Sequence, residues 1–300
     1  MKIDTHQHYW RYEPAEYSWI SDAMVCLKRD RYPEHCGPEM AAGGVSYSIA
    51  VQARSEEKET DFLLVLARQS PAIAAVVGWT DLRSRHLEAR LLAWADQQSL
   101  KGFRHILQDE PDFEHLLDDT DFRHGLVEIQ RRGYVYDVLV CGVAQLESVR
   151  EFCASHDKHW LVLDHLGKPD LRTKADGVSA EWRAALRDLA VLPHVVCKIS
   201  GLATETDFTD RSRLEGGDIG NMIECMDEAL DAFGPERLLF GSDWPVCELA
   251  APYQTVCGIA QAWASSRLSE SQQQAFWSGN AIKCYGLSEH SFTGGYAQGK

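Results

Sequence analysis

The 300-residue sequence predicts one α/β domain folded as a (β/α)8 barrel, and three observations lead to this fold class. Eight short apolar runs, rich in β-branched and aromatic residues, recur along the chain. A stretch with helical spacing follows each run. The sequence contains no G-x-G-x-x-G motif, which disfavours a doubly wound dinucleotide-binding sheet. A closed barrel therefore fits the chain better than an open sheet.

Several of the predicted strands are apolar on both faces, as in Trp160 to Leu163. This pattern is typical of parallel strands that helices cover on both sides. The eight runs are 2–9, 45–53, 73–82, 100–107, 134–140, 160–166, 195–202 and 238–246.

Amphipathic helices are predicted between the strands, because apolar residues recur there at intervals of three and four. The clearest apolar faces are Phe122, Leu126 and Ile129; Leu146, Val149, Phe152 and Cys153; and Trp182, Leu186 and Leu189. Ser269 and Gln272 have the spacing of a capping box that begins a further helix. We expect each apolar face to pack against the sheet.

Residues 1–287 are predicted to form the barrel, and residues 288–300 a C-terminal tail. An insert at about residues 11–44, without periodicity, follows the first strand. Its aromatic residues Tyr12, Tyr17 and Trp19 are consistent with a lid over a site. A packed surface excursion is the alternative.

The composition limits the partners of the protein. Lys plus Arg number 30 against 45 Asp plus Glu, and the formal charge of -15 repels nucleic acid and anionic membranes. No apolar stretch approaches the roughly 20 residues that span a bilayer, and no signal peptide is evident. The nine cysteines are odd in number and form no C-x-x-C motif, which indicates reduced thiols. We therefore expect a cytoplasmic protein with a small-molecule ligand, either a monomer or a homodimer.

Two histidines in the first run and one aspartate in the last are the strongest candidates for chemistry. His6 and His8 are two residues apart on a strand, so both imidazoles point to one face. Asp243 directly follows an apolar run, which is an unusual place for a carboxylate unless it is paired or functional. Core histidines and a loop or N-cap aspartate are the alternatives.

Other polar side chains interrupt or end the strand runs, where barrel enzymes place their reactive groups. Arg104 and His105 end the fourth run, with an exposed surface pair as the alternative. His165 interrupts the sixth run, and its neighbour Asp164 is expected to face the other way. Lys198 and Asp137 suit either substrate contact or a structural ion pair. The remaining candidates for substrate contact are Gln52, Trp79 and Trp244.

Several segments, taken together and in order, resemble the sugar-lactonase branch of the amidohydrolase superfamily, which includes L-fuconolactonase-like and L-rhamnonolactonase-like enzymes. The resemblance spans nearly the whole chain. The segments that carry it are residues 4–10 (DTHQHYW), 51–53 (VQA), 59–60 (ET), 78–82 (GWTDL), 101–105 (KGFRH), 163–169 (LDHLGKP), 197–202 (CKISGL) and 241–246 (GSDWPV).

The resemblance implies a distorted barrel in which His6, His8, His165 and Asp243 line one pocket, with Asp243 activating water against an ester or amide carbonyl. The superfamily's fifth-strand histidine is absent, since that run offers Asp137 instead. One divalent metal, zinc by preference, held by His6, His8 and Asp243, or no metal, therefore fits better than two. Without a metal, Arg104, His105 or Lys198 would have to polarise the carbonyl.

The sequence therefore predicts a lactonase that opens the ring of a sugar acid such as L-fucono- or L-rhamnonolactone, with Asp243 as general base. A hydrolase of dicarboxylic lactones of the pyrone or muconolactone type, or another metal-dependent amidohydrolase, is the first alternative. A catalytically silent barrel that binds a sugar acid is the second.

Overall fold

The computed structural model of the chain describes residues 1–172, 177–208, 214–292 and 295. Eight parallel strands form one sheet in chain order, each paired with the next along the chain. They are β1 (Ile3–Gln7), β2 (Tyr47–Val51), β3 (Ile73–Gly78), β4 (Leu100–His105), β5 (Val135–Val138), β6 (Leu161–Leu163), β7 (Val195–Ile199) and β8 (Leu238–Phe240). The predicted (β/α)8 architecture is confirmed.

The sheet curves until its first and last strands meet. Gln7, the last residue of β1, forms a parallel bridge with Trp244, which follows β8, and the Asp243 amide donates to the His6 carbonyl at 2.9 Å. This contact between the ends of β1 and β8 brings the first-strand histidines beside the aspartate that follows the last strand.

Helices surround the strands. They are α1 (Pro33–Ala42), α2 (Glu57–Gln69), α3 (Leu87–Ala93), α4 (Phe113–Asp118), α5 (Thr120–Arg131), α6 (Gly142–Ser155), α7 (Ala180–Ala190), α8 (Gly216–Phe233), α9 (Tyr253–Arg267), α10 (Glu270–Gln274) and α11 (Asn280–Cys284). The apolar faces predicted for α5, α6 and α7 are all buried. Ser269 and Gln272 form the predicted capping box of α10. No helix in the described parts of the chain is long and apolar enough to cross a membrane.

The insert after β1 packs onto the mouth of the barrel. Its Arg31 forms an antiparallel backbone bridge with Trp10, three residues after the end of β1. A separate apolar cluster, made of Trp10, Tyr17, Ile20, Leu27 and Ala53, fixes it there. Of the predicted tail, Glu289–Phe292 form a short 3-10 turn, and residues 293, 294 and 296–300 lie outside the described residues. None of the nine cysteines forms a disulfide.

Candidate active site

The reactive groups of the first and last strands converge on one point. The Nε2 atoms of His6 and His8 are 3.2 Å apart. Asp243 Oδ1 lies 3.3 Å from His8 Nε2 and 3.8 Å from His6 Nε2. All three side chains are nearly or fully buried. Asp243 adopts a left-handed backbone with φ 61°, which turns its carboxylate back toward β1.

His165 approaches the same carboxylate from the other side of the barrel, with its Nε2 4.0 Å from Asp243 Oδ1. Its Nδ1 lies 2.8 Å from the hydroxyl of Ser200, which follows β7. Gly201 makes room for the ring, because a Cβ at Gly201 would lie 2.5 Å from His165 Nδ1. The structure thus brings His6, His8, His165 and Asp243 together, as the sequence predicts.

The expectation that Asp164 faces away from His165 is wrong. β6 ends at Leu163, and His165 and Leu166 have positive φ angles of 53° and 54°. Strand alternation does not extend into this left-handed turn. Asp164 is consequently fully buried against His6, with its Oδ1 3.4 Å from His6 Nδ1.

An ionic network lies beneath this cluster and includes three of the predicted residues. Arg104 donates to Asp164 Oδ2 at 3.0 Å. Lys198 Nζ lies 3.0 Å from Asp164 Oδ1 and 3.2 Å from His6 Nδ1, and it also donates to Asp137. Tyr285 donates its hydroxyl to Asp137 Oδ1 at 3.2 Å. The network therefore orients His6 from below.

The surroundings determine which groups carry charge. Burial would raise the pKa of Asp243, but the neighbouring imidazoles of His165, His8 and His6 hold it below its usual range. Burial lowers the pKa of His165 to about 4 against the opposing effect of Asp243, so this imidazole is neutral at pH 7. The site thus combines an ionised carboxylate with a neutral imidazole.

Above the cluster lies a cavity of about 280 Å³. Its floor includes His8, Arg104, His165 and Asp243. The insert supplies part of its wall, which favours the lid interpretation of the insert over a plain surface excursion. The other lining residues are Glu16, Ser18, Trp19, Ala53, Arg54, Ser55, Ile106, Gln108, Asp109, Leu139, Lys168 and Val246.

Several predicted substrate-contact residues lie outside this lining. Asp137 and Lys198 are fully buried in the network below it. Gln52 lies behind Arg104, where its side chain donates to the Arg104 carbonyl at 3.0 Å. Trp244 is buried and donates its indole N–H to Glu248. Direct contact of these four residues with a substrate stays a prediction.

Trp79 and His105 also lie outside the lining. The Trp79 indole donates to His105 Nδ1 at 3.1 Å, and His105 Nε2 lies 2.6 Å from Glu110 Oε1. His105 is thereby held between two protein partners, and its predicted catalytic role likewise stays a prediction.

Arg54 and Lys168 line the cavity but were not among the predicted site residues, and Trp19, which also lines it, was predicted only as part of a possible lid. Lys168 belongs to the sixth-run segment LDHLGKP, so the motif was recognised without the role of its lysine. Trp19 lies in the insert, whose lack of periodicity gives no information about which side chains face inward.

Comparison with known proteins agrees with this geometry. The sequence profile of a family described as amidohydrolase matches residues 3–287. An L-fucono-1,5-lactonase from Burkholderia multivorans is 53% identical over 291 residues, covering 96% of this chain and 97% of the relative. An L-fucono-1,5-lactonase from Burkholderia ambifaria is 30% identical over 295 residues, covering 97% of each chain.

A solved structure is similarly close. An amidohydrolase from Burkholderia multivorans, crystallised with bound zinc, superposes with a TM-score of 0.92 at 52% identity. The match covers 96% of this chain and 100% of that one.

Proposed function

The chain belongs to the amidohydrolase family, and we propose that it is a sugar-acid lactonase whose substrate is L-fucono-1,5-lactone or a close stereochemical relative. The convergence of Asp243, His165 and His8 on the floor of one cavity, with His6 buried against them, carries this proposal. The names of two nearly full-length relatives support the choice of substrate.

Asp243 serves as the general base in this proposal. Its carboxylate is ionised and faces the cavity, so it can take a proton from a water molecule that attacks the lactone carbonyl. The proton then passes to the ring oxygen as the ester bond breaks. His165, neutral and held by Ser200, orients the carboxylate and the attacking water from the opposite side.

The donor set fits a divalent metal ion such as zinc. The mutual distances of 3.2, 3.3 and 3.8 Å among the two Nε2 atoms and Asp243 Oδ1 are close to the edge of about 3.3 Å expected between ligands of tetrahedral zinc. His8 Nδ1 lies 2.9 Å from the Val51 carbonyl oxygen, which can only accept, so the Nε2 lone pair is free for a metal. A bound ion would polarise the carbonyl and acidify water.

The zinc content of the purified protein tests this assignment. We expect close to equimolar zinc, measured by inductively coupled plasma mass spectrometry after loading and desalting, and at least a tenfold fall in His8→Asn. His105→Asn is the matched control, because this buried histidine also lies at a strand end but is absent from the cavity lining. A metal-free wild type, or a His8→Asn protein that keeps its zinc, contradicts the assignment.

Gly201→Ala tests how strictly the reaction depends on the position of His165. Both Gly201 (φ +67°) and Gly44 (φ +69°) have left-handed backbones, so alanine at either position costs about 1–2 kcal/mol of stability. Only at Gly201 does the new Cβ meet the His165 ring, whereas nothing lies within 4 Å at Gly44. We expect kcat to fall about 100-fold in Gly201→Ala. Steady-state kinetics in which Gly44→Ala lost as much activity would contradict this.

The reaction itself is tested with a pH-indicator assay against a panel of aldono-1,4- and 1,5-lactones, with uncatalysed opening subtracted. We expect L-fucono-1,5-lactone to be opened with the highest kcat/KM of the panel. If a pyrone dicarboxylate or a muconolactone were opened instead, the substrate class would be wrong while the hydrolytic chemistry would stand.

A further inference from the structure

We propose that Lys168 is a catalytic residue that binds the reacting carboxyl group, first as the negative charge develops on the carbonyl oxygen and then as the product carboxylate. This inference rests on the proposed lactonase function and assigns a role to the lysine of the LDHLGKP segment. It follows from the cationic side chains of the cavity, the backbone that places Lys168 there, and the charge of the product.

Among the residues that the structure describes, three cationic side chains line the cavity, and two of them are already neutralised. Arg54 is hydrogen-bonded to the carboxylates of Glu16 and Glu59. Arg104 is bound to Asp164 and to the Gln52 carbonyl.

Lys168 differs from both arginines. Within the described residues, Lys168 Nζ pairs with Glu205, whose Oε1 lies 3.8 Å away, at the outer limit of an ion pair. Its side chain is 21% exposed. Among the cations of the lining, Lys168 is therefore the one most available to a ligand.

The backbone around Lys168 has a strained, left-handed conformation that brings two side chains into the cavity. His165, Leu166 and Lys168 all have φ between 52° and 54°, a region that non-glycine residues rarely adopt. Backbone strain of this kind concentrates at functional sites. The Lys168 amide donates to the His165 carbonyl at 2.8 Å, and Trp182 donates to the Leu166 carbonyl at 3.0 Å, so the turn is held in place. The result is that His165 and Lys168 enter one cavity from the same turn.

The chemistry requires a cation at this point. Water adds to the carbonyl carbon, its proton passes through Asp243 to the ring oxygen, and the carbon–oxygen bond of the ring breaks. The products are a hydroxyl group and a carboxylic acid, which ionises at neutral pH. The Asp243 carboxylate in the same cavity repels that product, and the ammonium group of Lys168 offsets the repulsion. Preorganised charges of this kind act on the transition state more than on the neutral substrate.

The inference is tested with Lys168→Met, which keeps the side-chain length and the left-handed backbone but removes the charge. We expect kcat for the lactone to fall about 100-fold, while KM changes little. We also expect the dissociation constant of the aldonate product, measured by isothermal titration calorimetry, to rise more than tenfold. Lys168→Arg keeps the charge and should recover much of both losses. Lys158→Met, on an exposed lysine paired with Asp157, is the control.

The outcomes separate this inference from the proposed function. If the wild type opens the lactone and Lys168→Met matches it in kcat and in aldonate binding, the role of Lys168 is wrong. A wild type that opens no lactone refutes the proposed function, and the calorimetric comparison still decides whether Lys168 binds a carboxylate. Equal losses in Lys168→Met and Lys168→Arg would show that the position tolerates no change and would overturn the charge argument.

Discussion

Asp243→Asn is expected to lower kcat for lactone opening by about 10³-fold to 10⁴-fold while leaving the fold intact. A carboxamide has nearly the same shape as a carboxylate but cannot take the proton of the attacking water. Asparagine also tolerates the left-handed backbone of this residue, and the hydrogen bond from its amide to the His6 carbonyl is independent of the side chain. Single-turnover and steady-state kinetics on the same lactone measure the loss.

The controls distinguish the base from the metal ligand. Asp170→Asn, at an exposed residue on the loop after β6, should keep wild-type kinetics. The zinc content of Asp243→Asn is measured in the same preparation. If zinc is retained and activity is lost, the missing function is proton transfer. A variant that keeps more than a tenth of the wild-type kcat would remove Asp243 from the role of general base.

The barrel could be predicted from sequence because its strands are buried on both faces. Each of the eight apolar runs contains one observed strand, although the runs extend beyond the strand ends. The run 160–166 shows why. Only Leu161–Leu163 pair with neighbouring strands, and the residues that follow are equally buried in a left-handed turn. Hydrophobic residues indicate burial, and burial continues past the end of the strand, so the predicted run is longer than the strand.

The candidate site was predicted where strand ends determine the geometry. His6 and His8 lie beside Asp243 because β1 and β8 must meet when the sheet closes. The sequence did not reveal which polar residues line the cavity and which belong to the ionic network below it. Lys198 and Asp137 are on strands that reach the site, but they belong to the network below the cavity. Their chemistry suits both positions, so only the packing of the neighbouring strands distinguishes them.

The sequence also did not reveal which strand-end residues turn outward. His105 ends β4 directly after Arg104, and adjacent strand residues point to opposite faces. Arg104 reaches the cavity, whereas His105 faces Trp79 and Glu110. A wall formed by an insert is harder still to predict, since Trp19 is placed by tertiary packing against Trp10 and not by any local period.

Lys198→Met is expected to destabilise the protein by about 3–5 kcal/mol, because it leaves buried carboxylates without their cation. Lys198 is fully buried and holds Asp137, Asp164 and His6 Nδ1 at once. Burial already raises the pKa of Asp137 to about 6, against the opposing charge of Lys198. Without that charge the pKa of Asp137 rises further. As the pH falls below this raised pKa, protonation neutralises the uncompensated carboxylate.

The stability deficit of Lys198→Met should therefore be larger at pH 8 than at pH 5.5. A group whose pKa is raised by folding contributes stability that is complete below its unfolded pKa and is lost as the pH rises through its folded pKa. Urea unfolding at the two pH values measures the difference. The double variant Lys198→Met/Asp137→Asn removes one of the uncompensated charges and should recover part of the loss, as a double-mutant cycle would show. A single variant as stable as the wild type, or a double variant no more stable than the single one, would show that the network does not hold this part of the barrel together.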